Sequence, residues 1–144
     1  MSYVRNILQK KGNATLTIKA TATVYEALQL MMEKNIGALM VIDGDNFIGI
    51  FTERDYARKV VLQGKASRRT LIKEIMTDHP VTVTPNDTVK ACMTLMTDKV
   101  IRYLPVVEED NLVGIISMSD IVKHVMEEQK FIIDNLQNYI SSQQ

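Results

Sequence analysis

The chain has 144 residues, with 17 basic and 17 acidic side chains, so its formal net charge is zero. This length suits one compact domain or two small fused units, and an apolar content of 46% is enough for a buried core. The balanced charge excludes strong overall attraction to nucleic acid or to an anionic membrane.

The sequence also indicates a compartment. Cys92 is the only cysteine, which excludes an intrachain disulfide. Its position in the apolar phase of a predicted helix indicates a buried thiol. The N-terminus lacks the apolar region of a signal peptide, and no apolar run approaches the length of a membrane span. We therefore expect a cytoplasmic protein.

The first half of the chain predicts a helix, a strand, a second helix, a hairpin and a third helix. Thr23 and Glu26 fit a capping box at the start of the second helix. The turn-rich segment 43–46 separates two apolar runs, as in a β-hairpin. The predicted elements are a helix over 2–11, a strand over 15–18, a helix over 23–34, strands over 38–42 and 47–51, and a helix over 52–63.

The second half predicts the same order after a polar, basic linker over 65–70. This linker is interpreted as a solvated loop rather than a nucleic-acid patch. The predicted elements are a short helix over 71–76, a strand over 80–84, a helix over 88–99, strands over 103–107 and 112–116, and a helical region from Ser117.

The two halves are copies of one unit. Aligned without gaps at an offset of 65, residues 17–60 and 82–125 share 15 identities. A duplicated β-α-β-β-α unit follows, and the fold class is α/β (α+β). Helices cover one face of each small sheet, so we expect the two bare faces to pack together about a pseudo-twofold axis, with two equivalent clefts.

One motif recurs at the strand-to-helix turn of each copy: Gly49-Ile-Phe-Thr52-Glu-Arg-Asp55 and Gly114-Ile-Ile-Ser117-Met-Ser-Asp120. Each copy places a hydroxyl and a carboxylate three residues apart. This spacing is typical of a helix cap. Backbone N–H groups at the same turn also favour anionic oxygens of a ligand. The two interpretations are compatible.

The stretch 126–144 lies outside the repeat. Its apolar residues recur at roughly helical spacing and are Phe131, Ile132, Ile133, Leu136, Tyr139 and Ile140. Such a helix must pack on its own domain or on another chain, and we expect a contact between two copies. The expected organisation is one unit over 7–64, a second over 71–127 and a C-terminal helix over 128–144.

The repeat order and the Gly-x-x-(Thr/Ser)-x-x-Asp motif resemble the cystathionine-β-synthase-type (CBS) domain, here as a tandem pair over roughly 7–127. Further marks are Met76-Thr77 and Leu104-Pro105-Val106-Val107. The segments 35–39 and 52–58 look like a bacterial stand-alone CBS-pair subfamily with no attached catalytic domain. This resemblance implies a non-enzymatic sensor that binds AMP, ADP, ATP, NAD(H) or S-adenosylmethionine between its units and acts through an unknown downstream protein.

The resemblance also implies where such a ligand would bind. Asp55 and Asp120 would accept hydrogen bonds from ribose hydroxyls, and Thr52 and Ser117 would contact ribose or phosphate. Backbone near 37–39 and 103–105 would meet the adenine edge. The expected first site is Thr17, Gly37, Ala38, Leu39, Thr52, Arg54, Asp55 and Arg58; the second is Thr82, Arg102, Tyr103, Leu104, Pro105, Ser117, Ser119 and Asp120.

The two expected sites differ where specificity should lie. Arg54 can bind phosphate with two hydrogen bonds, which Ser119 cannot; alternatively, Arg54 pairs with surface acids. Arg102 and Tyr103 stand where the first copy has Gly37 and Ala38. We expect unequal sites that hold different nucleotides.

Other functions have weaker support in the sequence. No phosphate-binding Walker loop, His-centred nucleophile or paired-metal acidic cluster is visible, and His79 and His124 lack a further ligand at metal-binding spacing. A nucleic-acid site at Lys65, Arg68, Arg69 and Lys73 conflicts with the neutral net charge. A dimeric scaffold without a ligand is the alternative to a sensor.

Overall fold

The computed structural model describes residues 1–143. The first half forms α1 (Val4–Lys11), β1 (Thr17–Lys19), α2 (Val24–Lys34), β2 (Ala38–Asp43), β3 (Asn46–Thr52) and α3 (Glu53–Asp55), which continues as a π-helical segment (Tyr56–Val61). The second half forms α4 (Ile72–Ile75), β4 (Thr77–Asp78), α5 (Val89–Lys99), β5 (Tyr103–Glu108), β6 (Asn111–Ser117) and α6 (Met118–Ser142).

The two hairpins have the same register, which confirms the predicted duplication. In the first unit β2 pairs antiparallel with β3, and Ala38 lies opposite Thr52. In the second unit β5 pairs antiparallel with β6, and Tyr103 lies opposite Ser117. Both hairpins shift register at the equivalent position, after Val41 and after Val106.

The strand predicted over 80–84 is wrong, because this segment makes only one isolated parallel bridge, between Val83 and Val106. In the first unit the Met40 N–H donates to the Leu16 carbonyl oxygen over 3.0 Å. Pro105 occupies the position equivalent to Met40, and proline has no N–H to donate. The chain ahead of this segment instead forms β4, which extends the first sheet alongside β3.

Side chains fill the space between the two sheets, as the repeat predicts. Ala38, Met40 and Ile50 of the first unit form a buried cluster together with Tyr103 and Ile115 of the second. Alternate residues on the same strands point the other way, into separate cores beneath the helices. Cys92 is fully buried in the second of these cores, which confirms the expected buried thiol.

The helix at the start of each unit packs on the core of the other unit. Val4, Ile7 and Leu8 of α1 lie in the second core, whereas Ile72 and Ile75 of α4 lie in the first. Glycine makes room for this close approach. A Cβ on Gly114 would lie 2.8 Å from Leu8 Cδ2. The duplicated glycine of the motif is therefore explained by packing.

The last helix is longer than predicted. α6 runs without a break from Met118 to Ser142, so the helix expected over 128–144 is its second half, and Gln144 lies outside the described residues. Every residue of the helix from Met126 onward is exposed. Within residues 1–143, no helix has the length and apolar character needed to span a membrane.

Candidate ligand-binding cavities

Two cavities lie between the units, and both units contribute to each. Cavity 1, of about 400 Å³, is lined by Gly37, Ile50, Thr52, Glu53, Arg54, Asp55, Thr77, His79, Pro80, Val81, Ile101, Arg102 and Tyr103. Cavity 2, of about 340 Å³, is lined by Lys11, Ala14, Leu16, Asn35, Ile36, Gly37, Ala38, Met40, Tyr103, Ile115, Ser117, Ser119 and Asp120.

The structure distributes the expected site residues across the two units. Arg102 and Tyr103 of the second unit complete the cavity that holds Asp55. Ala38 of the first unit lines the cavity that holds Asp120. Face-to-face packing of the sheets produces this exchange, because it brings the start of β5 against the first unit. The expected sites grouped residues by repeat, whereas each cavity takes residues from both repeats.

Several expected residues line neither cavity. Leu39 and Leu104 are fully buried in the helix-facing cores, because strand alternation turns them away from the layer between the sheets. Pro105 is buried on β5 without reaching a cavity. Thr17, Arg58 and Thr82 are exposed outside both cavities.

Sequence reasoning missed a segment near the start of each unit. Ala14 and Leu16 line cavity 2, and their counterparts at an offset of 65, His79 and Val81, line cavity 1. The repeat alignment would have found them had it been extended by three residues. Lys11 and Thr77 lacked such a signal, because each touches a motif carboxylate far away in sequence.

The carboxylate of Asp55 is fully engaged within the protein. Its Oδ2 accepts hydrogen bonds from the Thr52 N–H over 2.9 Å and the Thr52 hydroxyl over 3.1 Å. Its Oδ1 accepts one from the Thr77 hydroxyl over 2.9 Å and lies 3.0 Å from Lys59 Nζ. The side chain is only 8% exposed. A ligand must displace an existing partner to use this carboxylate.

Only one of the two oxygens of the Asp120 carboxylate is hydrogen-bonded within the described residues. Its Oδ2 accepts hydrogen bonds from the Ser117 N–H over 2.8 Å and from Lys11 Nζ over 2.7 Å. Within residues 1–143, its Oδ1 has no hydrogen-bond partner, and the side chain is 23% exposed. Burial raises the pKa of Asp120, but the hydrogen bonds from Lys11 and Ser117 and the Lys11 charge outweigh it and lower the pKa below its ordinary value.

Both motif hydroxyls cap their helices. The Thr52 hydroxyl accepts from the Asp55 N–H, and the Ser117 hydroxyl accepts from the Asp120 N–H, each over 3.1 Å. The capping interpretation is confirmed, and the cap of α6 engages only Oδ2 of Asp120. The two caps serve different helices, because α3 gives way to π-helical geometry after Asp55 whereas α6 continues to Ser142.

Tyr103 lies between the two cavities and lines both. A Cβ on Gly37 would overlap its hydroxyl, so the absence of a side chain at Gly37 lets Tyr103 occupy this position. Burial and the Glu53 charge raise the pKa of Tyr103, against an opposing effect of Arg102.

Arg54 makes a contact that differs from both expected roles, which were a phosphate contact and pairing with surface acids. Its Nη1 donates a hydrogen bond to the carbonyl oxygen of Val100, the residue that ends α5. The guanidinium therefore links the first unit to a helix C-terminus of the second, where a cation is favourable. Among the described residues, no group of three potential metal ligands is present.

The fold is therefore a pair of duplicated units with cavities between them. The chain belongs to the CBS domain family, whose profile matches residues 5–62 and 72–127. A mitochondrial CBS domain-containing protein of Arabidopsis thaliana, CBSX3, is 36% identical over 95% of this chain and 71% of its own. A CBS-domain structure from Burkholderia ambifaria MC40-6 is 46% identical, with a TM-score of 0.86, over 89% of this chain and 96% of its own.

A second solved structure contains ligands. The CBS domain pair of protein MJ0100, in complex with 5′-methylthioadenosine and S-adenosyl-L-methionine, is 27% identical to this chain. Its TM-score is 0.78, and the match covers 89% of this chain and 98% of that one.

Proposed function

We propose that the protein is a cytoplasmic regulatory module that binds an adenosine-containing ligand between its CBS units. The ligand class is that of AMP, ATP, NAD(H) and S-adenosylmethionine, and binding reports the energy or redox state of the cell. The observation that carries the proposal is the free Oδ1 of Asp120, which belongs to a carboxylate lining cavity 2. Both ligands of the MJ0100 domain pair are adenosine compounds, which supports this class.

Cavity 2 offers complementary surfaces for a nucleoside. An ionised carboxylate oxygen accepts hydrogen bonds from ribose hydroxyls. Ile36, Met40 and Ile115 supply apolar walls against which a purine ring packs. The Asp120 carboxylate is ionised at neutral pH, since its pKa lies below the ordinary value of aspartate.

The two cavities are proposed to bind unequally. Asp120 has a free oxygen and greater exposure, whereas both oxygens of Asp55 are engaged. A ribose at Asp55 must replace the contact with Thr77 or Lys59, and this exchange lowers the net gain in free energy. Cavity 2 is therefore expected to fill first.

A second copy of the chain is the proposed partner of α6. Ile133, Leu136 and Ile140 recur at spacings of three and four residues, and all are exposed. In proteins most of the stability of such a helix comes from packing of its apolar face. The line of Val122, Met126, Gln129, Ile133, Leu136 and Ile140 carries no charge. Twofold pairing therefore covers the same stripe on both copies without repulsion.

The experiment is identification and titration of the bound molecule. The purified protein is denatured, the released small molecules are identified by mass spectrometry, and AMP, ATP, NAD⁺, NADH and S-adenosylmethionine are titrated by calorimetry. We expect binding to the wild type, a loss of at least about tenfold in affinity for Asp120→Asn, and a smaller loss for Asp55→Asn. Asp98→Asn, an exposed change on α5, is the matched control.

The same experiment distinguishes the sensor from the alternative, a dimeric scaffold without a ligand. If none of the five compounds binds, and none co-purifies, the motif residues serve only as helix caps. The protein would then be a dimeric scaffold. Equal losses at Asp55 and Asp120 would retain the sensor but contradict the unequal cavities.

A further inference from the structure

A small cavity of about 120 Å³ adjoins cavity 2. It is lined by Ile7, Lys10, Lys11, Asp120, Lys123, His124 and Glu127. Lys11 and Asp120 line both spaces, so the two are contiguous at these side chains. The proposed ribose acceptor therefore lies at the boundary between cavity 2 and the small, lysine-rich cavity.

Positive charge is in excess in the small cavity. Its three lysines face two carboxylates, those of Asp120 and Glu127. Lys10 lies 3.4 Å from Glu127, but both side chains are largely exposed, so this pair contributes little. Lys123 makes no ion pair among residues 1–143. Two of the three lysines can therefore reorient towards an anion at small cost.

His124 provides an independent indication that the small cavity suits an anion. The residue is only 7% exposed, and neither ring nitrogen has a hydrogen-bond partner among the described residues. Nε2 lies 3.3 Å from Glu128 Oε2 without hydrogen-bond geometry, and Glu128 accepts a hydrogen bond from the Ser2 hydroxyl instead. A buried polar side chain without a partner is unfavourable, and an oxyanion in the small cavity would supply one.

The lysines that α1 contributes to this cavity are not repeated in the first unit. At an offset of 65, the counterparts of Lys10 and Lys11 are Ile75 and Met76. Ile75 is buried in the first core, and Met76 packs against it. The two lysines of α1 thus distinguish the small cavity from the equivalent region beside Asp55.

We propose that the small cavity is a phosphate subsite for the ligand of cavity 2. The ribose hydroxyls donate hydrogen bonds to Asp120 Oδ1, and the phosphate of the ligand lies towards Lys10, Lys11 and Lys123. This inference rests on the proposed function and narrows the ligand of cavity 2 to a phosphorylated adenosine. Lys11, which binds Asp120 and lines both spaces, positions the carboxylate and faces the phosphate.

The experiment compares adenosine with AMP by calorimetry on the full chain. We expect the wild type to bind AMP at least about tenfold more tightly than adenosine, because charge-assisted hydrogen bonds are the strong ones. The double variant Lys10→Gln/Lys123→Gln should bind the two compounds within about threefold of each other, with adenosine affinity unchanged. Lys99→Gln, an exposed lysine at the end of α5, is the charge-matched control.

The outcomes separate this inference from the function on which it rests. Equal binding of adenosine and AMP by the wild type, or an undiminished AMP preference in the double variant, overturns the phosphate subsite and retains adenosine binding. Failure of the wild type to bind either compound overturns both. The NMR signals of the His124 ring give a second readout. They should shift with AMP and not with adenosine, and a shift common to both compounds contradicts the subsite.

Discussion

At the scale of single residues, the ends of α2 and α5 show how one position tolerates two different side chains. Asn35 and Val100 occupy equivalent C-caps, with φ of 53° and 54°. Asparagine adopts this left-handed conformation readily, whereas a β-branched residue is strained there. Val100 is 64% exposed, so its side chain contributes little packing to offset the strain.

Val100→Asn should therefore raise the free energy of unfolding by about 1 kcal/mol, the scale of the left-handed penalty. Chemical denaturation of the variant and the wild type measures the change. Asn35→Val is the reciprocal control and should lower stability by a similar amount. If Val100→Asn is no more stable than the wild type, the strain assigned to this cap is absent.

The residue scale also shows how far sequence reasoning reached at the site. Thr52, Asp55, Ser117 and Asp120 could be predicted, because the repeat marks both pairs. The engagement of both Asp55 oxygens could not be predicted fully, because one of its partners, Thr77, is brought to the carboxylate only by the fold. Thr77 lies 22 residues away in sequence, and no local pattern connects it with the carboxylate.

At the scale of elements, boundaries that depend on local signals are predicted well, whereas boundaries that depend on long-range strand pairing are predicted poorly. α2 begins one residue after Thr23, as its predicted cap requires, and α5 likewise begins one residue after Thr88, whose hydroxyl caps it. The strand expected over 80–84 needed an N–H at position 105, which proline lacks. Hydrophobic alternation could not reveal this, because the missing donor belongs to another strand.

The cap of α6 should make stability depend on pH. The folded pKa of Asp120 is lowered by Lys11 and Ser117 against the effect of burial. Its stabilising contribution is therefore complete above the unfolded aspartate pKa of about 3.9 and is lost as the pH falls through the folded value.

Urea denaturation of the wild type and Asp120→Asn between about pH 7 and pH 3 measures this contribution. The wild type should be more stable at pH 7, and the difference should shrink below about pH 4. Asp98→Asn, which removes an equal charge from an exposed position, should show no such convergence. A difference that stays constant to pH 3 would mean that ionisation of Asp120 does not support the cap.

At the scale of the whole molecule, the two units are interdependent. α1 packs on the second core and α4 on the first, and Arg54 joins the first unit to the end of α5. Each cavity is likewise completed by the opposite unit. A ligand held between the units consequently contacts both, and its binding energy acts on their relative arrangement.

α6 connects this arrangement to the proposed dimer. Its first turn carries Ser117 and Asp120 at cavity 2, and its second half carries the exposed apolar stripe. A ligand that bonds Asp120 therefore acts at one end of the helix whose other end meets the second copy. Association and ligand affinity should be linked reciprocally, since a coupling between two equilibria has one value in both directions.

The double variant Ile133→Gln/Leu136→Gln tests the partner surface most directly. The wild type is expected to be a dimer by light scattering, and this variant a monomer, because burial of the apolar stripe supplies the driving force for association. A chain ending at Glu127 should also be monomeric, while keeping Asp120 and both family-matched regions. Asn138→Gln, a polar exchange on the same exposed half of α6, should remain dimeric. A wild type that is already monomeric, or a stripe variant that stays dimeric, would place the self-association surface elsewhere.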